Sequence, residues 1–219
     1  MTLAIQTFSG RVRGAAVLLG ICAVLAGCGA LPDKPSRVVM YDFGPGDTAP
    51  APAAAPSLPT IALTELETNP RLDGTQILYR LGYADANELR PYGQARWSMA
   101  PTQMVRQRIR NGLSQRRLVL NAEENASMTS TEGKAPDTLR VTVEEFSQVF
   151  DTPSSSVGLV RLRATLVTGA PGGDRVRGQK TFTVQRPAAT ADAAGGVKAL
   201  AAATDAAVND IVQWVDGLK

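Results

Sequence analysis

Two spacings of apolar residues divide the chain. Near its end, Val197, Leu200, Thr204, Val208, Ile211, Val215 and Leu218 step by threes and fours. That period belongs to a helix burying one face, and only Thr204 interrupts its apolar stripe. The spacing predicts a long closing helix from about Gly195-Gly196, with Asp205, Asp210 and Asp216 largely off the stripe and Trp214 beside it. Val105, Ile109 and Leu113 form a shorter stripe with Met104 and Gly112 next to it. This helix should open at 97–101, with Ser98 as N-cap and Pro101 in the first turn, where its missing N–H costs nothing.

Elsewhere the period is two. Leu139, Val141 and Val143 alternate inward, but Phe146 and Phe150 have the opposite parity. A bulge near Glu144-Glu145 reconciles them. Val160, Leu162, Ala164 and Leu166 alternate with Arg161, Arg163 and Thr165. Val176, Phe182 and Val184 oppose Arg177, Gln179, Thr181 and Thr183. Three strands with short connectors and one wet face describe antiparallel hairpins, and Gly172-Gly173 supplies a turn. Earlier strands are expected at 37–43, 58–66 and 76–81, the last after a turn at 72–75, and at 83–89, where Arg90-Pro91-Tyr92-Gly93 should end it. Loops are expected at 44–57, with Pro45, Pro50, Pro52 and Pro56, and at 123–137. The predicted fold class is α+β: a two-layer sandwich, mainly antiparallel sheet with two helices packed on one face.

The first residues add an address. Arg11 and Arg13 precede a short apolar run from Ala15 to Leu25, and Leu25-Ala-Gly-Cys28 closes it. The run is too short to span a bilayer, which takes about 20 apolar residues, and has the layout of a cleaved leader. The small pair before cysteine resembles the lipobox of bacterial lipoproteins. That resemblance implies lipidation of Cys28, cleavage before it, and a mature chain held in a membrane by acyl chains. The expected organisation is a signal peptide at 1–27, the lipidated cysteine and a tether at 28–36, and one domain at 37–219 containing the Pro/Ala-rich loop.

Composition narrows the chemistry. Arg11 and Arg13 leave with the leader, so the 23 basic residues fall to 21 against 20 acidic ones. A near-neutral domain has no electrostatic footprint for nucleic acid. The chain has no histidine, and its only cysteines are Cys22 and Cys28. Triad and dyad hydrolase chemistry therefore lacks its residues. The pairs Glu123-Glu124 and Glu144-Glu145 read as solvated surface rather than acid–base machinery. No catalytic, cofactor-binding or metal-binding residue is expected, and no cofactor. Arg106, Arg108, Arg110, Arg116 and Arg117 lie largely off the first helical stripe. They read either as a solvated face or as a surface for anionic lipid or an acidic partner.

The run Tyr79-Arg80, Tyr92, Ala95-Arg96-Trp97 and Pro101 resembles the auxiliary lipoproteins of ABC-type transport systems, including the paraquat-inducible C-like lipoproteins. The strand from Leu139 to Phe146 with Phe150-Asp151, then Phe182, Ala199-Leu200, Ala206-Ala207 and Trp214, are similar in order and spacing. Tyr41-Asp-Phe43 departs from the family's aromatic pair followed by Leu. The resemblance implies a non-enzymatic outer-membrane lipoprotein. Its partners would be a mammalian-cell-entry-domain protein and ABC ATPase and permease components of a system moving lipids across the periplasm. It places Tyr79, Trp97, Phe146 and Phe182 where sheet and helix meet. Two helices and one sheet leave little apolar surface for a closed phospholipid pocket, so a docking role is expected, with room for a homo-oligomer. A structural envelope lipoprotein assisting outer-membrane or secretion-complex assembly is the competing reading.

Overall fold

The computed structural model describes residues 37–45, 58–121, 123–127, 135–170 and 172–218. Cys28, the leader, the tether at 29–36 and most of the Pro/Ala-rich loop lie outside these residues. The described elements are β1 (Val39–Tyr41), β2 (Ile61–Leu63), β3 (Glu67–Thr68), β4 (Gln76–Leu81), β5 (Asp85–Trp97), α1 (Pro101–Ser114), β6 (Val119–Leu120), β7 (Asp137–Thr152), β8 (Ser155–Ala170), β9 (Gly173–Pro187) and α2 (Ala193–Gly217). Residues 123–127 add one helical turn inside the expected loop, where Asn121 and Glu124 cap each other's backbone N–H at 2.8 Å.

The three strong alternating runs form the long hairpins β7–β8 and β8–β9, both antiparallel. The β7–β8 register slips between Val143 and Glu145, where the change of parity requires it. Gly172 and Gly173 have φ of 97° and 124° and turn the second hairpin. The sheet as a whole is mixed, which corrects the mainly antiparallel expectation. One edge of β7 pairs with β8. The other edge receives β2 at its start, β3 in its middle and β4 near its end, all parallel. Residues 61–81 thus run beside β7 in its own direction.

β5 does not stop at 90–93. It continues through Pro91 and Gly93 because its pairing with β4 is irregular there: Gln76 opposes Arg96 while Leu78 opposes Pro91. A bulged strand near the sheet's edge tolerates both residues. β1 then pairs parallel with residues 95–97.

Ser98 is not the cap of α1. Its N–H donates to Tyr41 O at 2.7 Å, and Ala100 occupies the N-cap position without a side-chain bond. Pro101 is the first helical residue, as its chemistry favours. Asp192 caps α2 by accepting from Gly195 N at 2.8 Å. α2 packs on β7, β8, β9 and α1, and α1 packs on α2 and β6. Val197, Leu200, Thr204, Val208, Ile211 and Val215 are all buried, as the stripe predicts. Trp97, Phe146, Leu162 and Leu200 are among the fully buried large side chains. Val176 departs from its expected inner face and is 66% exposed.

Candidate docking surfaces

The arginines of α1 and the loop after it are occupied within the fold. Arg106 pairs with Glu65 at 3.0 Å and donates to Thr64 O at 3.3 Å. Arg108 donates to Phe43 O at 2.6 Å and lies 3.5 Å from Asp205. Arg110 reaches Glu124 at 4.0 Å, and Arg116 reaches Asp216 at 2.8 Å. Arg117, almost fully buried, also pairs with Asp216, while its Nε has no hydrogen-bond partner. These guanidiniums tie α1 to the chain around β1, β2 and α2. They form neither a free basic surface nor a merely solvated one. The exposed pairs among them contribute about 0–1 kcal/mol each, so their main effect is on geometry.

Glu123 and Glu124 are exposed, as the sequence predicts, but the second carboxylate pair is tied down. Glu144 faces Arg163 at 3.4 Å and Glu145 faces Arg80 at 3.0 Å, with side chains only 28% and 15% exposed. They are ion-paired rather than solvated, which corrects the sequence reading. Among the described residues no group of three or more His, Cys, Asp or Glu could hold a metal ion, and no helix is long and apolar enough to cross a membrane.

Among the described residues a surface hollow lies at each end of α2. The first lies between β9 and the last turns of α2. Lys180, Phe182, Asp210, Gln213 and Trp214 line it. Phe182 and Trp214 meet edge-on with ring centroids 5.9 Å apart, and the Lys180 ammonium sits 5.0 Å over the Phe182 ring. An aromatic floor with one cation and one carboxylate on its rim suits binding rather than bond-breaking.

The second hollow lies between β1, β5 and the first turn of α2, lined by Val39, Tyr41, Tyr92, Gln94, Ala95 and the segment from Asp192 to Ala194. A polar relay lies at its side. Tyr92 Oη donates to Gln148 Oε1 at 2.8 Å, and Gln148 Nε2 donates to Ser156 Oγ at 2.7 Å. Gln148 is fully buried, and a Cβ on Gly196 would come 2.0 Å from its Oε1. Burial, and after it the nearby Tyr79 and Asp192 groups, hold the Tyr92 phenol well above its usual value, so it remains a neutral donor. Asp192 is shifted the other way: the Gly195 N–H and then the Thr190 hydroxyl stabilise its carboxylate.

The four aromatics divide. Trp97 and Phe146 are core, with ring centroids 5.8 Å apart and Phe43 against both. Phe182 belongs to the core and also floors the first hollow. Tyr79 is half-buried, tilted against Tyr92 with ring centroids 4.6 Å apart and edge-on to Phe150 at 5.9 Å. Gln148, Lys180 and the exposed start of β1 were not singled out from the sequence, and Asp210 was placed only off the stripe of the closing helix. Cys28 lies outside the described residues.

With this geometry in place, comparison with known proteins gives the family. The model of the ABC-type transport auxiliary lipoprotein component matches residues 41–212. This chain belongs to that family, whose members serve as auxiliary components of ABC-type transport. Protein XCC0632 from Xanthomonas campestris shares the fold at a TM-score of 0.62 with 19% identity, over 82% of this chain and 92% of that one. A second solved structure, of an uncharacterized protein, matches at 0.53 with 15% identity, over 71% and 91% of the two chains. No curated protein matches this chain.

Proposed function

We propose that this protein is an outer-membrane lipoprotein, anchored through acylated Cys28 and facing the periplasm. In this reading it is a non-catalytic accessory of a mammalian-cell-entry-type ABC system that moves lipids across that space. The family match over residues 41–212 carries the reading, and the Leu25-Ala-Gly-Cys28 box supplies the anchor. Gly29 and Ala30 follow the cysteine. By resemblance to sorting in enteric bacteria, the lack of Asp there directs the lipoprotein outward. The hollow between β9 and the last turns of α2 offers a surface for a mammalian-cell-entry-domain partner or for a second copy of this chain.

The test is isolation of the intact protein from fractionated membranes, with identification of what accompanies it. The expected result is outer-membrane recovery with transporter components and lipid, lost in Cys28→Ser. Recovery in the cytosol overturns the anchor. Recovery only in the inner membrane overturns the sorting. Recovery with assembly or secretion components in place of transporter components would favour the structural reading.

A further inference from the structure

The two ends of the strand path β1–β5–β4–β7–β8–β9 are unlike. β9 carries Arg175, Arg177, Lys180 and Arg186, the charges that guard an open sheet edge. β1 carries none: it is Val39, Met40 and Tyr41, preceded by Val38. Val38 and Val39 are each 48% exposed, and Met40 is 56% exposed. Successive strand side chains point to opposite faces, so three exposed neighbours mean that both faces of this edge are open. Adjoining apolar side chains left so open mark a contact surface more than scattered ones do.

The chain leading into β1 indicates what lies beside it. Residues 29–37 separate Cys28 from Val38. At most about 3.6 Å per residue, they hold β1 within roughly 35 Å of the cysteine. Resting on the reading of Cys28 as the acylated anchor, we propose that residues 38–40 form a membrane-contact surface that lays the β1 edge on the lipid bilayer. The depth follows from the backbone. The outer edge of β1 has N–H and C=O groups that hydrocarbon cannot satisfy, whereas headgroups and their water can. The contact is therefore shallow, with the Val38, Val39 and Met40 side chains at the acyl boundary and the backbone among headgroups. This turns the β9 edge, and the hollow at Trp214, away from the lipid.

The acylated protein provides a clean test, because its sequence has no cysteine beyond Cys22 and Cys28. A polarity-sensitive fluorophore is attached to Met40→Cys and, separately, to Val176→Cys. Val176 sits on β9, five strand steps and roughly 24 Å from β1. Both proteins are reconstituted into phosphatidylethanolamine–phosphatidylglycerol vesicles containing acyl-chain spin-labelled lipid, and flotation is scored first. The expected result is that both float and that the Met40 probe loses about half its emission, as interfacial insertion requires, while the Val176 probe keeps its own. Floating protein with both probes equally quenched, or neither, overturns the contact surface and leaves the anchor standing. Failure to float overturns the anchor and this inference with it. A Met40 probe shielded in detergent as protein concentration rises assigns the edge to a second copy and also overturns the inference.

Discussion

Gly158 of β8 lies against the backbone of Ala199 in α2. A Cβ on Gly158 would stand 2.6 Å from the Ala199 carbonyl carbon and 2.6 Å from the Leu200 nitrogen. Only glycine lets strand and helix meet at this distance. The contact sets the height of α2 over the sheet, and with it both hollows.

Gly158→Ala should therefore lift or shift α2, at about 1–3 kcal/mol for an overpacked site. Gly93→Ala is the control, since nothing lies within 4 Å of its added Cβ. It should change stability by no more than about 0.5 kcal/mol. Urea midpoints compare the two, and equal midpoints would refute the contact.

Tyr92→Phe removes the donor that satisfies Gln148 Oε1. Leaving that acceptor unpaired should cost about 1–3 kcal/mol. The change should also alter alkaline behaviour. The phenol's folded pKa is raised, so its contribution is fully present below the unfolded value, about pH 10. It is lost as pH rises beyond that, because the unfolded chain then releases a proton the folded one keeps. Denaturation across this range should show a steeper alkaline loss in the wild type than in the phenylalanine variant. Parallel curves would show that Tyr92 is not held neutral by burial.

Asp192 gives the opposite sign at the acid end. Its folded pKa is lowered, so its stabilisation is fully present above the unfolded value, about pH 4, and lost as pH falls through the folded one. Asp192→Asn keeps a capping oxygen without the titration, so acid should destabilise it less than the wild type. Asp192→Ala should lose the cap itself, about 1 kcal/mol at neutral pH. Thermal melts from about pH 6 to about pH 3 separate these effects. A wild type no more acid-sensitive than the asparagine variant would refute the titrating cap.

Some of this architecture was open to reading from the residues alone. The boundaries of β4 follow from one apolar run, and the β7 bulge follows from the parity of Phe146 and Phe150. Both are local signals. The parallel pairing of β2, β3 and β4 with β7 was not legible, because alternation tells which face a side chain takes and not which strand lies beside it. Pro91 and Gly93 misled for a related reason: they end a regular strand but not a bulged one. Two site residues did leave traces. Gln148 shares the inward parity of Phe146 and Phe150, and a polar side chain there demands a buried partner. Gly158 shares the parity of Val160 and Leu162, and a glycine on the inner face of a strand signals a close backbone approach. The Leu25–Cys28 box is legible from sequence alone.

The place of β7 also fixes an order of events. Residues 61–81 are made before β7, yet β7 supplies the edge along which they lie. Thr64 bonds to Leu139 O, and Thr68 bonds to Val143 O, each across 75 residues of chain. Contacts of such separation form slowly, since a long loop must close before they can. Until β7 arrives, β3 has no neighbour, and β2 and β4 are each paired along one edge only, to β6 and β5, which leaves their other edges open to wrong pairing. Chain growth from the N-terminus thus leaves this protein most vulnerable midway, and a product ending before Asp137 should be a ready substrate for proteases and chaperones.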